Sequence, residues 1–501
     1  MKPRLLFADQ DATAPRPPDE SADLVRDLGI TPILDAMADG DAYLRDVAAQ
    51  LVLADPLDPD QIRYRQDVLD DCLAHPDAIR AVYELAGTAI DAKRRVHAWI
   101  PTNHPGAILR SSVAILRDQV DYLARLHAFA VAHRGQFHSA GLTNLLASVE
   151  HDLDDAYLAQ VRGYIHQLEF TAAAVLTARL GPGCTGVDYA LREAAPTPWW
   201  TRLEEVLPNH HGYTYHLPPR DENGGRTLDR IQDHGINTVA DAAAQSSEHV
   251  LDFFRRLTFE VGCYLGCVQL HRALQRSGVP TCRPTVEPRL SRALTCRGLV
   301  DAGLALRTGR APVGSDLDAD GRTLLMLTGA NQGGKSTLLR AIGLAQLMLD
   351  AGLFVTADSY RASPSTGVFT HYRREEDAAL QHGKFDDELV RMSDLVDRLR
   401  PGAMLLLDES FASTNELEGS QIARDIVDSL LAAGVRVCYV THLYTLSHGL
   451  ARLHAPEHLF LRAQREPDGR RSFRLVPAEP ESTSYAGDLF RQVFAGAGSS
   501  G

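Results

Sequence analysis

Lys335 is preceded by Gly329, Gly333 and Gly334 and followed by Ser336 and Thr337, the residue types and spacing of a loop that grips a phosphate chain. Glycines let backbone N–H groups turn inward where a Cβ would block the approach. Ala330, Asn331 and Gln332 complete the loop. Lys335 can reach the β/γ-phosphates of a nucleoside triphosphate, read here as ATP, and the Ser336 hydroxyl suits Mg²⁺. Further along, five apolar residues over 403–407 end in Asp408 and Glu409. Asp408 is placed to orient Mg²⁺ and its water, and Glu409 to polarise the attacking water. His442 closes a third apolar run, 435–441, where an imidazole can sense the γ-phosphate. The rival readings are a glycine turn with an incidental lysine, a solvated acidic turn and a histidine that caps a strand. The order of the three motifs favours catalysis, with Lys335, Glu409 and His442 as its side chains.

These groups need elements to carry them. The apolar run 324–328 predicts a strand entering the glycine loop, and Leu338, Leu339, Ile342 and Ala345 predict the helix leaving it. That helix would point its partial positive end at the bound anion. Five consecutive apolar residues before Asp408 fit a parallel strand buried on both faces. The expected architecture is multidomain α plus α/β: a flexible segment 1–24, a helical core/lever domain 25–280, a P-loop (ABC-like) α/β domain 281–480, then a helix and flexible tail over 481–501. Apolar spacing predicts helices over 42–53, 58–73, 76–92, 107–133 and 142–168, with breaks at Pro56, Pro76, Pro101 and Pro105. An irregular insert is expected over 181–237, with a possible strand at 213–217, before a helix resumes over 246–277. A hairpin pairs 459–465 with 471–476, and a last helix covers 485–494.

At 501 residues and 45% hydrophobic content the chain can build two or more packed domains. No apolar run approaches the ~20 residues that cross a bilayer, and the start has no export-signal h-region, so a cytoplasmic protein without a membrane partner is expected. The seven cysteines are scattered. Cys263 and Cys267 lie one helical turn apart, and Cys282 and Cys296 have no partner pair at zinc spacing, so reduced thiols are expected. A net charge of −14 works against indiscriminate attraction to nucleic acid but allows a local basic face. The densest candidates are Lys93, Arg94 and Arg95 with Trp99, and Arg110, Arg117 and Arg125; solvated helix faces are the other reading.

With these motifs in view, the ATPase half resembles the MutS family of DNA mismatch repair proteins. Asn331 to Thr337 is similar to the family's Asn-x-Gly-Gly-Lys-Ser-Thr, 351–357 to its Gly-x-Phe-Val-Pro-Ala, and Val368, Phe369 and Thr370 to its Ile-Phe-Thr strand. Thr441 and His442 match its Thr-His. Upstream, Pro56 and Leu57 with Arg65 and Gln66 resemble the start of the MutS core, and the helix 246–277 falls where the family has its returning lever. The resemblance covers nearly the whole chain from about residue 25 and is most specific over 324–445.

It implies a homodimer on double-stranded DNA, mismatched or branched, in which ATP drives clamping by helical arms. Each site would take Lys384, or Thr414 and Asn415, from the partner, although a solvated Lys384 reads equally well. Departures are plain. The stretch ahead of Arg65 is too short for a mismatch-reading domain and has no Phe-x-Glu wedge; Gly383, Lys384 and Phe385 replace Ser-Thr-Phe ahead of Glu388 and Met392; and 410–416 replaces a glycine-rich loop. The insert 181–237 reads as a reduced clamp, and no nuclease-like module follows Phe494, so strand cutting is not expected. Rival functions are a binder of branched DNA without mismatch sensing and a protein-remodelling or transport ATPase. Against transport, the chain has no Leu-Ser-Gly-Gly-Gln element.

Overall fold

The computed structural model describes residues 1–12, 21–97, 105–169, 175–182, 186–192, 222–330, 332–374, 383–465 and 471–481. Helices α1 (Ser21–Leu28), α2 (Thr31–Ala38), α3 (Ala42–Val52), α4 (Pro59–Ala74), α5 (Pro76–His97), α6 (Pro105–Ala132), α7 (Ala140–Asp152) and α8 (Asp155–Leu168) come first. A hairpin of β1 (Val175–Leu180) and β2 (Gly186–Arg192) and the long α9 (Glu222–Arg276) follow. Next are β3 (Thr285–Val286), β4 (Leu294–Leu299), α10 (Ala302–Thr308), β5 (Ser315–Asp318), β6 (Leu324–Thr328), α11 (Lys335–Asp350), β7 (Ser359–Ala362), β8 (Val368–Tyr372) and α12 (Lys384–Val396). The chain goes on through β9 (Met404–Asp408), α13 (Glu416–Ala432), β10 (Arg436–Val440), α14 (Tyr444–Ala451), β11 (His458–Arg465) and β12 (Arg471–Pro477). The protein is multidomain, helical with mixed α/β sheets.

Aspartates set several helix starts. Asp41 accepts the Tyr43 and Leu44 N–H groups at 2.8 and 3.3 Å, and Asp58 accepts those of Asp60 and Gln61 ahead of α4, whose first residue is Pro59. The same chemistry corrects one expectation. Asp154 accepts the Tyr157 N–H at 2.7 Å, so the single helix expected over 142–168 is two helices, α7 and α8. Two described parts of the insert are regular: β2 pairs antiparallel with β1, and α9 starts at Glu222, ahead of the expected 246. The possible strand at 213–217 and the final helix at 485–494 lie outside the described residues, as does the hairpin turn between β11 and β12.

Residues cluster into two compact units, one of 1–3, 80–138 and 142–261, the other of 4–79, 139–141 and 262–501. In the first, α6 packs on α8, and Gln119 donates to the Ser247 carbonyl at 3.0 Å. The second holds a sheet in the order β12-β11-β6-β10-β9-β8, parallel except for the edge strand β12, and a smaller sheet β3-β7-β4-β5. These units do not follow the boundaries expected at 25 and 280, because α1 packs on β8 and α11 and α2 packs on α10.

Residues 4–6 of the amino-terminal segment, expected to be flexible, are anchored within the second unit. Leu5 and Leu6 are buried, and Tyr64, Tyr264 and Arg65 donate to the carbonyls of Arg4, Leu5 and Leu6 at 2.7, 2.7 and 3.1 Å. Arg65 also donates to the Ala351 carbonyl at 3.2 Å, and Gln66 to that of Pro284 at 3.1 Å. The Arg-Gln pair therefore ties α4 to three distant segments, at Leu6, Pro284 and Ala351.

The core of the larger sheet is built by Leu405, Leu407, Val437 and Tyr439 against Ala423 and Val427 of α13. Gly419 marks the closest approach: a Cβ there would stand 2.5 Å from the Phe411 carbonyl oxygen, a backbone atom that cannot yield cheaply. Gly419→Ala is expected to lower stability by roughly 1–3 kcal/mol despite its better helix propensity, read as a reduced urea midpoint with an unchanged denaturant slope.

Candidate active site

Parallel register brings the functional side chains to one sheet edge. Val440 pairs with Leu327 and with Asp408, and Tyr372 pairs with Asp408, so β6, β8, β9 and β10 end together. Ligands in open α/β sheets sit at this carboxyl edge. The glycine loop leaves β6 there and α11 starts at Lys335. Gly329 and Gly334 have φ of 102° and 92°, which favour glycine, and a Cβ at Gly333 would meet the Ala463 Cβ at 2.6 Å. Gln332 has φ 57° and accepts from Arg471 of β12 at 2.7 Å. Asn331 lies outside the described residues.

Lys335 is buried and donates to the carbonyls of Gly329 and Ala330 at 2.8 and 3.1 Å. Burial holds its ammonium below the usual lysine range, partly offset by Glu409 and Asp408. Ser336 donates to Asp408 Oδ1 at 3.1 Å. Burial raises the Asp408 carboxyl above its ordinary value, against the Ser336 hydrogen bond. His442 Nε2 lies 3.1 Å from Glu409 Oε1 and 3.4 Å from Lys335 Nζ, so one nitrogen can donate to the carboxylate or accept from the ammonium, not both. The hydrogen bond from His442 holds Glu409 below the usual carboxylate range, with Arg373 at 3.6 Å adding to it. Lys335, Ser336, Asp408, Glu409 and His442, singled out from the sequence, therefore converge.

A cleft of about 540 Å³ opens beside them, lined by Ser336, Tyr372, Arg373, Arg374, Lys384, Asp408 and Glu409. Lys384, read equally as a partner's contribution or as a solvated side chain, lines the cleft of its own chain. Sequence reading missed Tyr372, Arg373 and Arg374, although the rule that found His442, a polar residue just past a buried strand, applies equally after β8. The hard oxygen pair Ser336 and Asp408 suits Mg²⁺, which takes few protein ligands. Among the described residues, no group of three or more His, Cys, Asp or Glu side chains is placed to hold a metal. The Tyr372 hydroxyl is buried and has no hydrogen-bond partner among the described residues. On the other side of the α11 start is a second cleft of about 450 Å³, lined by Leu304, Pro312, Val313, Gly334, Thr337 and Phe473. Phe473, half exposed at φ 58°, was also missed.

Two family descriptions match this chain. The MutS2 N-terminal domain matches residues 57–277 and MutS domain V matches 325–486. The chain belongs to the MutS-related family. The mismatch-reading domain of MutS falls in neither match, in keeping with the missing Phe-x-Glu wedge. The family's domain V match contains the whole edge cluster from Gly329 to His442. Among relatives, the DNA mismatch repair protein MutS of Chloroflexus aurantiacus is 31% identical over 176 residues, 32% of this chain and 17% of the relative. MutS of Thermus aquaticus is 29% identical over 191 residues, 36% of this chain and 23% of the relative. Endonuclease MutS2 of Thermus thermophilus is 32% identical over 123 residues, 25% and 16% of the two chains. The matches thus span less than a quarter of each of these three relatives.

In this MutS-related chain the loop after Glu409 rests on a buried polar network. Glu409 and Phe411 have φ of 54° and 63°. Glu388 of α12 accepts the Phe411 N–H at 3.0 Å and the Ser413 hydroxyl at 2.9 Å. His371 Nε2 donates to the Glu388 carbonyl at 3.0 Å, and its Nδ1 lies 2.8 Å from the Ser410 hydroxyl. Burial, with Arg391 nearby, pushes the His371 pKa down to about 4. Unfolding restores a value near 6.5, so between about pH 6.5 and 4 the unfolded chain binds the extra proton and stability falls with acidification, by up to about 3 kcal/mol. Asp350, raised to about 6 by burial, opposes this, because the fold takes up its proton before the unfolded chain does. His371→Asn is therefore expected to lower stability at pH 7 yet flatten its loss towards pH 4.5, measured as urea-unfolding free energy across that range.

Proposed function

We propose that this chain is a MutS-type P-loop ATPase of the cytoplasm that works in DNA mismatch repair or a related repair process, as a homodimer on double-stranded DNA. The observation that carries the reading is the meeting of Lys335, Ser336, Asp408, Glu409 and His442 beside a glycine cradle that side chains would fill. The described cysteines form no disulfide, which suits a reducing compartment. No helix among the described residues is long and apolar enough to cross a membrane.

Backbone N–H groups of residues 329–334 and the start of α11 bind the phosphate chain of ATP. Lys335 keeps two donors on the loop carbonyls and directs its remaining proton at the phosphates. Ser336 and Asp408 would hold Mg²⁺, which would supply positive charge against the phosphates when bound. Glu409, anionic at neutral pH because His442 and Arg373 favour its charged form, orients the attacking water. His442 fixes the carboxylate and stands within reach of the γ-phosphate. The cleft around Phe473 and Val313 takes the base, since an apolar slot beside Gly334 and Thr337 fits a flat heterocycle.

Differential affinity for a closed state would let ATP draw the helical arms together on DNA. Thr414 and Asn415, at the start of α13 beside the exposed Leu417, would be the residues offered to a second subunit. Mismatched and branched duplexes are the two candidate DNA partners.

Two tests follow from the residues. Steady-state hydrolysis with homoduplex, mismatched duplex and a four-way junction should rise most with the preferred DNA, and Lys335→Ala should lower it roughly tenfold or more. An unchanged rate in that variant would refute the assigned site, and no response to any DNA would favour a protein-remodelling ATPase. Phe473→Ala should weaken ATP binding while leaving competition by inorganic tripolyphosphate intact, measured by calorimetry; equal weakening of both would remove the base from that cleft.

A further inference from the structure

Nothing in the family motifs assigns a role to Arg373, yet its place is unusual. Its backbone N–H donates to the Asp408 carbonyl at 2.9 Å, an extension of the β8–β9 pairing that fixes its Cα beside the acidic pair. Only its side chain is left to move. The guanidinium reaches Glu409 Oε2 at 3.6 Å, with the two side chains 46% and 33% exposed. An ion pair so wet and so long holds its partners weakly. The neighbouring Arg374 points elsewhere, to Asp23 of α1. Arg373 therefore lines the cleft with Ser336, Asp408 and Glu409 on a weak tether.

The cleft's described lining carries Arg373, Arg374 and Lys384 against Asp408 and Glu409, with Lys335 adjoining. That balance suits a multiply charged anion, and a planar guanidinium matches phosphoryl oxygens two at a time. We propose that Arg373 recognises the terminal phosphoryl group of the nucleotide from within the same chain, so that this site distinguishes tri- from diphosphate without waiting for a partner subunit. The inference rests on the nucleotide reading above and adds to it the group that reads the third phosphate.

The test compares two probes, ADP and the non-hydrolysable triphosphate AMP-PNP, each with Mg²⁺, by calorimetry on the full chain. Arg373→Ala is expected to weaken AMP-PNP about tenfold and ADP less than twofold, the size of one lost charge-assisted contact. Arg373→Lys should recover part of the difference, because it restores charge without the planar fork. The same measurements at dilutions that span any dimerisation should give the same ratio. If Arg373→Ala weakens both probes equally, or neither, while Lys335→Ala still weakens both, the inference is overturned and the nucleotide reading stands. If Lys335→Ala weakens neither, the nucleotide reading itself falls and takes this one with it.

Discussion

Parallel pairing of β8, β9, β10 and β6 is the constraint from which the rest follows. In a parallel ladder, register decides where each strand stops, and here the stops align: Tyr372 beside Asp408, Asp408 beside Val440, Val440 beside Leu327. Side chains just past those stops, from Arg373, Glu409, His442 and the glycine loop, are then neighbours whatever their distance in sequence. Slipping one strand by a residue would turn its buried face outward and carry its functional group away from the others. Strands buried on both faces, such as Leu405, Leu406 and Leu407, all without exposure, leave no room for such a slip.

Backbone strain collects at the same edge. Of the eight described non-glycine residues with positive φ, Glu409 and Phe473 line the two clefts, and Gln332 and Phe411 sit in the glycine loop and in the loop after Glu409. Such conformations persist only where their surroundings over-determine them. The surroundings are visible: Arg471 holds Gln332, Glu388 holds Phe411, and the Glu409 N–H donates to the Val440 carbonyl at 2.9 Å. Tyr439 adds a buried hydrogen bond to the Ser410 carbonyl at 2.5 Å. The acidic pair thus stands on a loop braced from α12, β10 and β8 at once.

Much of this was legible in the residues. The glycine loop, the Asp408-Glu409 pair and His442 were read from apolar runs and what ended them, because burial on both faces leaves a continuous signal. Arg373 and Phe473 were not, since an arginine after a strand and a phenylalanine in a hairpin carry no spacing of their own and gain meaning only from what the sheet sets beside them. The break at Asp154 was missed because the apolar pattern runs on through 142–168 and one capping carboxylate is a weaker signal. The pairing of α1 to α4 with the sheet was invisible for a different reason: contacts across hundreds of residues leave no local trace.

The first few residues have a wider effect than their position suggests. Leu6 gives its carbonyl to Arg65, whose guanidinium lies over the Phe7 ring at 4.6 Å and also grips Ala351, where α11 has just ended. Cutting the chain behind Phe7 would take one acceptor and an aromatic cover from a buried cation, and the loss would be felt at the far end of the helix that begins at Lys335. The smallest autonomous version of the sheet-bearing unit therefore needs a peptide that no motif search would retain.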